Sequence, residues 1–376
     1  MPSISLSEHA LTALESSHLQ YRIISTLFGS ALGDAIGLST EFLSTELSAK
    51  SYPDRVFTLL PAEKATPFRR DHHSDGKKLD RQDCGFGILP SKSYLDDPEG
   101  TARKFCVMGK YKAVPNGSLM RTHPLGLRCL RKSVEESFQI AADFVVTHVD
   151  LRCVVSCAIV AALVRGLVLT KIYEERHVDE LIETRLAWYN ERREKELQRL
   201  DRQDEPCLNI SLLRNINNNI AEVSQHATAQ KLADLKLDES YKIGYVYKTF
   251  GSAILHLRLA LRQLKSSGQL FSQLTIFEKP ITDLAIEGDD TDTNACFAYA
   301  LLGALLCYKV LPPRWRNSLR HGTWLMEKSG GLCDVLGVAK GSYSGSRDKD
   351  AAEDEEQEWK RKQEADKKKP NWFAWK

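Results

Sequence analysis

Nothing in these 376 residues spaces cysteines for a metal or a redox couple: nine are scattered with no Cys-x-x-Cys, and the number is odd. That pattern argues against a disulfide framework or a zinc ribbon, and reduced thiols are expected. Cys153 and Cys157, four apart, are expected to pack in a helical core. Long uncharged apolar runs are also missing. The two longest, 154–169 and 295–311, fall short of ~20 residues or carry an arginine, so neither is expected to span a membrane. The first 19 residues hold no basic stretch ahead of an apolar one, the mark of a secretory leader. Net charge is only +2, which gives no reason to expect nucleic acid or an acidic membrane as partner. No stretch reads as a sheet. The expectation is a cytoplasmic, monomeric, all-α protein: one large multi-helix domain over 18–340, a short extension over 1–17 and a charged tail over 341–376.

What is present centres on Glu287-Gly288-Asp289-Asp290-Thr291-Asp292-Thr293, which places four carboxylates within six residues ahead of an Ala- and Leu-rich run. The run has the composition of a buried helix. The acids therefore fall at its N-terminus, where unpaired N–H groups favour negative charge, with Thr293 a candidate cap. Acids this close repel unless something neutralises them, and a hard divalent cation held by carboxylate and hydroxyl oxygens would do so. The competing reading is a solvated acidic turn. An EF-hand does not fit: counted from Asp290, position six is Ala295 instead of Gly, and position twelve is Leu301 instead of Glu.

Earlier in the chain, Ile23, Ile24, Leu27, Phe28, Ala31, Leu32 and Ala35 repeat with helical period. Gly29, Gly33 and Gly37 form a second stripe on that helix, at a cost of roughly 1 kcal/mol each relative to Ala. The expected return is close approach of another backbone. Asp34, inside this helix, faces either solvent or a site, and Glu41 follows just after it. Residues 44–115 are broken by prolines and read as loops, with His72-His73-Ser74-Asp75 a surface loop. Pro115-Asn116-Gly117-Ser118 is turn chemistry that could also offer N–H groups to a phosphate. Residues 133–146 read as an amphipathic helix, interrupted by Thr147-His148-Val149, and Asp150 caps a nearly all-apolar central helix. His148 at its mouth is either a structural group or a functional one. Residues 171–240 read as a charged helical insertion, including a solvated helix over 178–200 with Glu191 and Lys195 spaced to pair. The tail over 347–369 mixes both charges densely and is expected to be disordered or a single helix.

Three segments together resemble the ADP-ribosylglycohydrolase family. They are Gly29 to Gly37 with Glu41, Asn116-Gly117-Ser118-Leu119-Met120-Arg121 with Pro124-Leu125-Gly126, and Gly288 to Thr293. His148-Val149-Asp150 adds a fourth, weaker match. The resemblance implies an all-α fold, two magnesium ions, and hydrolysis of the glycosidic bond between ADP-ribose and a protein side chain or small leaving group by magnesium-activated water. It also implies that Asp290, Asp292 and Thr293 ligate metal, that Glu41 is the catalytic residue at the ribose, as general base or by orienting the water, and that Asn116, Gly117, Ser118 and His148 line the ADP-ribose pocket. Asp34 is a possible supporting acid. The partner implied is an ADP-ribosylated protein or a small ADP-ribose derivative.

One departure stands out. The family carries an early Thr-Asp-Asp-Thr segment that supplies the other half of the metal site, and no such segment occurs between Phe42 and Val114. Ser74-Asp75-Gly76 and Leu95-Asp96-Asp97-Pro98 are the nearest approaches, and Pro98 is expected to stop any helix there. Only one ligand set is visible. The alternative is therefore an impaired, ADP-ribose-binding pseudoenzyme.

Overall fold

A run as apolar as 295–306 lowers its free energy only by leaving water on every side. In the computed structural model, which describes residues 8–60, 96–108, 114–198, 216–239, 242–266, 272–343, 345 and 361, it does so. The helices in chain order are α1 (Glu8–Gly37), α2 (Thr45–Ser51), α3 (Pro98–Met108), α4 (His123–Arg128), α5 (Val134–Phe144) and α6 (Leu151–Val168). They continue with α7 (Glu175–Leu197), α8 (Ile216–Ala227), α9 (Val246–Ser266), α10 (Ser272–Ile286), α11 (Thr291–Leu306), α12 (Pro313–Arg316) and α13 (Gly322–Val335). Among the described residues there is no strand, only one isolated bridge between Pro115 and Tyr245. The chain is all-α.

Every residue of α11 except Asp292 is buried. The helix begins two residues before the expected cap: Asp290 is the N-cap and Thr293 lies in the first turn. It stops at Leu306, short of Leu311, because Cys307 turns the backbone to a φ of 94°.

The glycine stripe of α1 explains how α11 is held. A Cβ on Gly29 would lie 2.2 Å from the Tyr299 carbonyl oxygen, one on Gly33 2.3 Å from that of Ala295, and one on Gly37 2.4 Å from Asp292 Cα. Farther along, a Cβ on Gly303 would lie 2.1 Å from the Ser25 carbonyl oxygen. Steps of four residues along α1 meet steps of four, four and three backwards along α11. The two helices are thus antiparallel and in backbone contact, as the stripe predicted. This register carries Asp34 and Glu41 to the acidic end of α11.

The second buried column is α6, capped by Asp150, whose side chain accepts from Arg152 N. Cys153 through Val168 are all buried, so a helix long and apolar enough to cross a membrane is here wrapped in protein. Cys153 and Cys157 both lie in that core, and none of the described cysteines forms a disulfide. Alongside lies α5, closed by a capping box between Ser133 and Glu136, and α9 packs against both α6 and α11.

Two local readings change. Helix α7 was expected to be solvated; instead Val178, Ile182, Arg185 and Tyr189 form a buried face against the core. Arg185 is fully buried without a hydrogen-bond partner, its guanidinium 4.5 Å from the Phe138 ring centroid and 4.4 Å from that of Trp188. Aromatic faces substitute for water there, which a count of charges cannot reveal. The opposite face keeps the Glu191–Lys195 ion pair at 2.7 Å. In 44–115, expected as loops, α2 and α3 are helical, and Pro98 opens α3 where it was expected to stop a helix. Proline suits a first helical position, since no N–H is needed there. The His72-His73 pair, Asp75 and nearly all of the tail lie outside the described residues.

The backbone contact generates a paired test. Gly33→Ala should destabilise the protein by about 2–3 kcal/mol, since only backbone can move aside. Gly330→Ala in α13, where an added Cβ meets nothing within 4 Å, should stabilise it by about 0.5–1 kcal/mol. Denaturant unfolding of both variants checks the pair.

Candidate active site

The acid loop ahead of α11 is built by a second backbone lock. Phe42 N donates to the Asp289 carbonyl and Asp289 N to that of Leu43, both at 2.8 Å. Phe42, Gly288 and Asp289 all take left-handed backbone angles, with φ of 62°, 75° and 56°. Gly288 is fixed there twice over, because a Cβ would also lie 2.1 Å from the Leu43 carbonyl oxygen. The Thr40 hydroxyl reaches the Ala285 carbonyl and the Thr291 hydroxyl, closing the turn after α1 onto the same loop.

These contacts bring the acids together. Burial pushes the Asp292 carboxyl well above its usual range, and the neighbouring charges of Asp290, Glu41 and Asp34 push it further. Asp290 is also raised by burial, although its carboxylate accepts from Asn116 Nδ2 and bonds the side chains of Thr293 and Asp292. Asp34 therefore lies close enough for its charge to act on Asp292. Asp289 is 8% exposed. Burial and Asp238 raise it, against an opposing pull from Lys248. Two oxygens in this cluster, Asp292 Oδ1 and Asp289 Oδ2, are buried with no hydrogen-bond partner.

The Asn116 turn arrives from a distant part of the chain. Asn116 N donates to the Gly244 carbonyl at 2.8 Å and Val246 N to that of Val114 at 3.0 Å, pinning the turn to the start of α9. Asn116 Nδ2 then bonds Asp290 Oδ2 and the Thr249 hydroxyl, the latter at 2.7 Å. Ser118 contributes no free hydroxyl: it is 1% exposed and donates to the Pro115 carbonyl at 3.0 Å. Whatever this turn offers a ligand comes from its backbone and from Asn116.

His148 Nε2 lies 4.0 Å from where a Cβ on Gly117 would be. Its Nδ1 is 2.8 Å from the Thr147 hydroxyl and 3.3 Å from an Arg121 guanidinium nitrogen. Arginine only donates, so Nδ1 accepts and the proton sits on Nε2, on the Gly117 side. Burial and Arg121 lower the imidazole pKa to about 4. At neutral pH the ring is uncharged and serves as a hydrogen-bond donor.

The structure thus brings Asp34, Glu41, Asp290, Asp292 and Thr293 to one corner, with Asn116, Gly117 and His148 beside it. Among the described residues, no group of three or more His, Cys, Asp or Glu side chains is arranged to hold a metal ion. Of the nearest approaches to a missing early acid segment, Asp97 is occupied in capping α3, its Oδ1 accepting from Gly100 N at 2.9 Å. Asp75 lies outside the described residues.

A profile of the ADP-ribosylglycohydrolase family matches residues 15–345. The chain belongs to the ADP-ribosylglycohydrolase family. This is a family of glycohydrolases that act on ADP-ribosylated substrates. No curated protein matches this member. A solved structure described as an ADP-ribosylglycohydrolase-related protein complex is similar to it over 85% of this chain and 98% of that one, at 18% identity and a TM-score of 0.44.

Thr249, Gly244 and Asn294 escaped the reading of this family member's sequence. Asn294 directly follows the acid motif and offered a signal. Thr249 did not, since 133 residues separate it from Asn116.

Burying like charges without a counter-ion costs stability. Asp292→Asn should therefore raise the melting temperature of the cation-free protein by about 3 °C and leave it insensitive to added magnesium. Differential scanning fluorimetry with and without magnesium checks both signs.

Proposed function

We propose that this ADP-ribosylglycohydrolase family member hydrolyses the glycosidic bond between ADP-ribose and an acceptor, with magnesium held by Asp290, Asp292 and Thr293. The observation that carries the reading is the partnerless Asp292 Oδ1, buried beside a second carboxylate. An all-oxygen donor set of this kind suits a hard cation. The residues present fit one cation. When bound, it supplies positive charge that orients the ribose hydroxyls and makes nearby water more acidic.

The chain's own residues do the rest. Cleavage builds positive charge on the anomeric carbon as the acceptor departs with the bonding electron pair, and water supplies the oxygen that replaces it. Glu41, in the turn after α1, is the group assigned to take the proton from that water, with Asp34 supporting it. The Asn116–Gly117 turn is assigned to the ADP-ribose, and neutral His148 to donating a hydrogen bond from Nε2. A cytoplasmic monomer acting on ADP-ribosylated protein or a small ADP-ribose derivative completes the proposal.

A second reading is favoured by one observation: Asp97, the described acid nearest to a missing ligand segment, is spent capping α3. On that reading the chain binds ADP-ribose without turning it over.

One experiment separates the two. The purified chain is incubated with ADP-ribosylated arginine, serine and O-acetyl substrates under saturating magnesium, and released ADP-ribose is measured. The proposal expects release that falls at least about 100-fold in Asp290→Ala and on chelation. Activity indifferent to both removes the metal role. Calorimetric binding of ADP-ribose without release establishes the binding module.

A further inference from the structure

The acid pair is fastened to the rest of the molecule through a threonine that is itself neither a proposed metal ligand nor a proposed pocket residue. Thr249, in the first turn of α9, is 0% exposed. Its hydroxyl lies 2.7 Å from Asn116 Nδ2 and 2.5 Å from Asn294 Oδ1. The same Asn116 nitrogen also reaches Asp290 Oδ2. At the far end, Asn294 N donates to the Asp290 carbonyl at 3.0 Å. The chain of bonds leaves the acid loop at Asp290, crosses the Asn116 turn and α9, and returns to the first turn of α11.

The direction of each bond follows from proton counting. The Asn116 amide nitrogen has two protons. Asp290, as a carboxylate, takes one and Thr249 takes the other. Thr249 has a single proton, which passes to the Asn294 carbonyl. A reversed Asn116 amide would set its oxygen against the carboxylate of Asp290 and against a Thr249 hydroxyl whose one proton is already given to Asn294. Thr249 thus offers a lone pair at the one place that rewards the donating orientation a second time.

We infer that Thr249 is a positioning residue: its hydroxyl locks the Asn116 amide into the orientation that holds the Asp290 carboxylate beside Thr293 and Asp292. The consequence for cation binding rests on the proposed role of Asp290, whereas the amide lock itself does not. Ligands are commonly oriented by such outer partners, and removing one typically weakens metal binding.

The test uses the full chain with Thr249→Val, which keeps the shape and loses the hydroxyl, and Thr249→Ser, which keeps the hydroxyl. Circular dichroism verifies that both fold. Manganese affinity is read by electron paramagnetic resonance, and hydrogen exchange of the Asn116 side-chain amide by NMR. Thr249→Val should lose about 10-fold or more in manganese affinity, with Thr249→Ser within about twofold of wild type. Asn116 amide protection should likewise fall in the valine variant and persist in the serine variant. Wild-type amide protection in Thr249→Val overturns the positioning role, as does equal loss in both variants. A wild type that binds no manganese, with amide protection behaving as expected, removes the cation reading of Asp290 and leaves the lock intact.

Discussion

Two helices run past one another with backbone against backbone, and the corner of the molecule that carries its acids depends on that contact. Side chains on α1 at positions 29, 33 or 37 would occupy space filled by α11 itself. Because the contact repeats every four residues, it fixes sliding as well as distance. A shift of one turn, about 5.4 Å, would carry Asp34 and Glu41 away from Asp292. The return turn after α1 then bonds to the acid loop through Phe42, Leu43 and Asp289. Three left-handed residues sit at that junction, a local cost that surrounding contacts must over-determine.

Electrostatics turns this geometry into chemistry. Asp289, Asp290 and Asp292 are all raised by burial, and like charges raise Asp289 and Asp292 further. Folding places them in an environment that disfavours their charged forms, which a merely solvated acidic turn would not do. His148 is treated oppositely, kept neutral beside Arg121. The acidic corner therefore attracts positive charge, while the His148 side offers an uncharged hydrogen-bond donor.

The features legible in the sequence are those with a local period or a local cap. The four-residue glycine stripe announced the contact with α11, the apolar run announced its burial, and Asp150 and Ser133 announced helix starts. The acid motif and the Asn116 turn were legible as members of one site only through the family resemblance. Pairing 116 with 290 through 244 and 249 is a long-range event that no window of sequence contains. Helix α7 was misread for a different reason: its charges suggested water, while at Arg185 two aromatic rings supplied the alternative. Pro98 was misread because proline ends one helix as readily as it begins another, and only the Asp97 cap decides which.

The central claim is that the glycine contact delivers a cation site at the N-terminus of α11. The most direct test is a crystal of this protein soaked in manganese, with the anomalous signal mapped. The account predicts a peak within coordination distance of Asp290, Asp292 and Thr293, on the side of α11 that faces Glu41. A peak bound elsewhere, or none at saturating manganese, would contradict it.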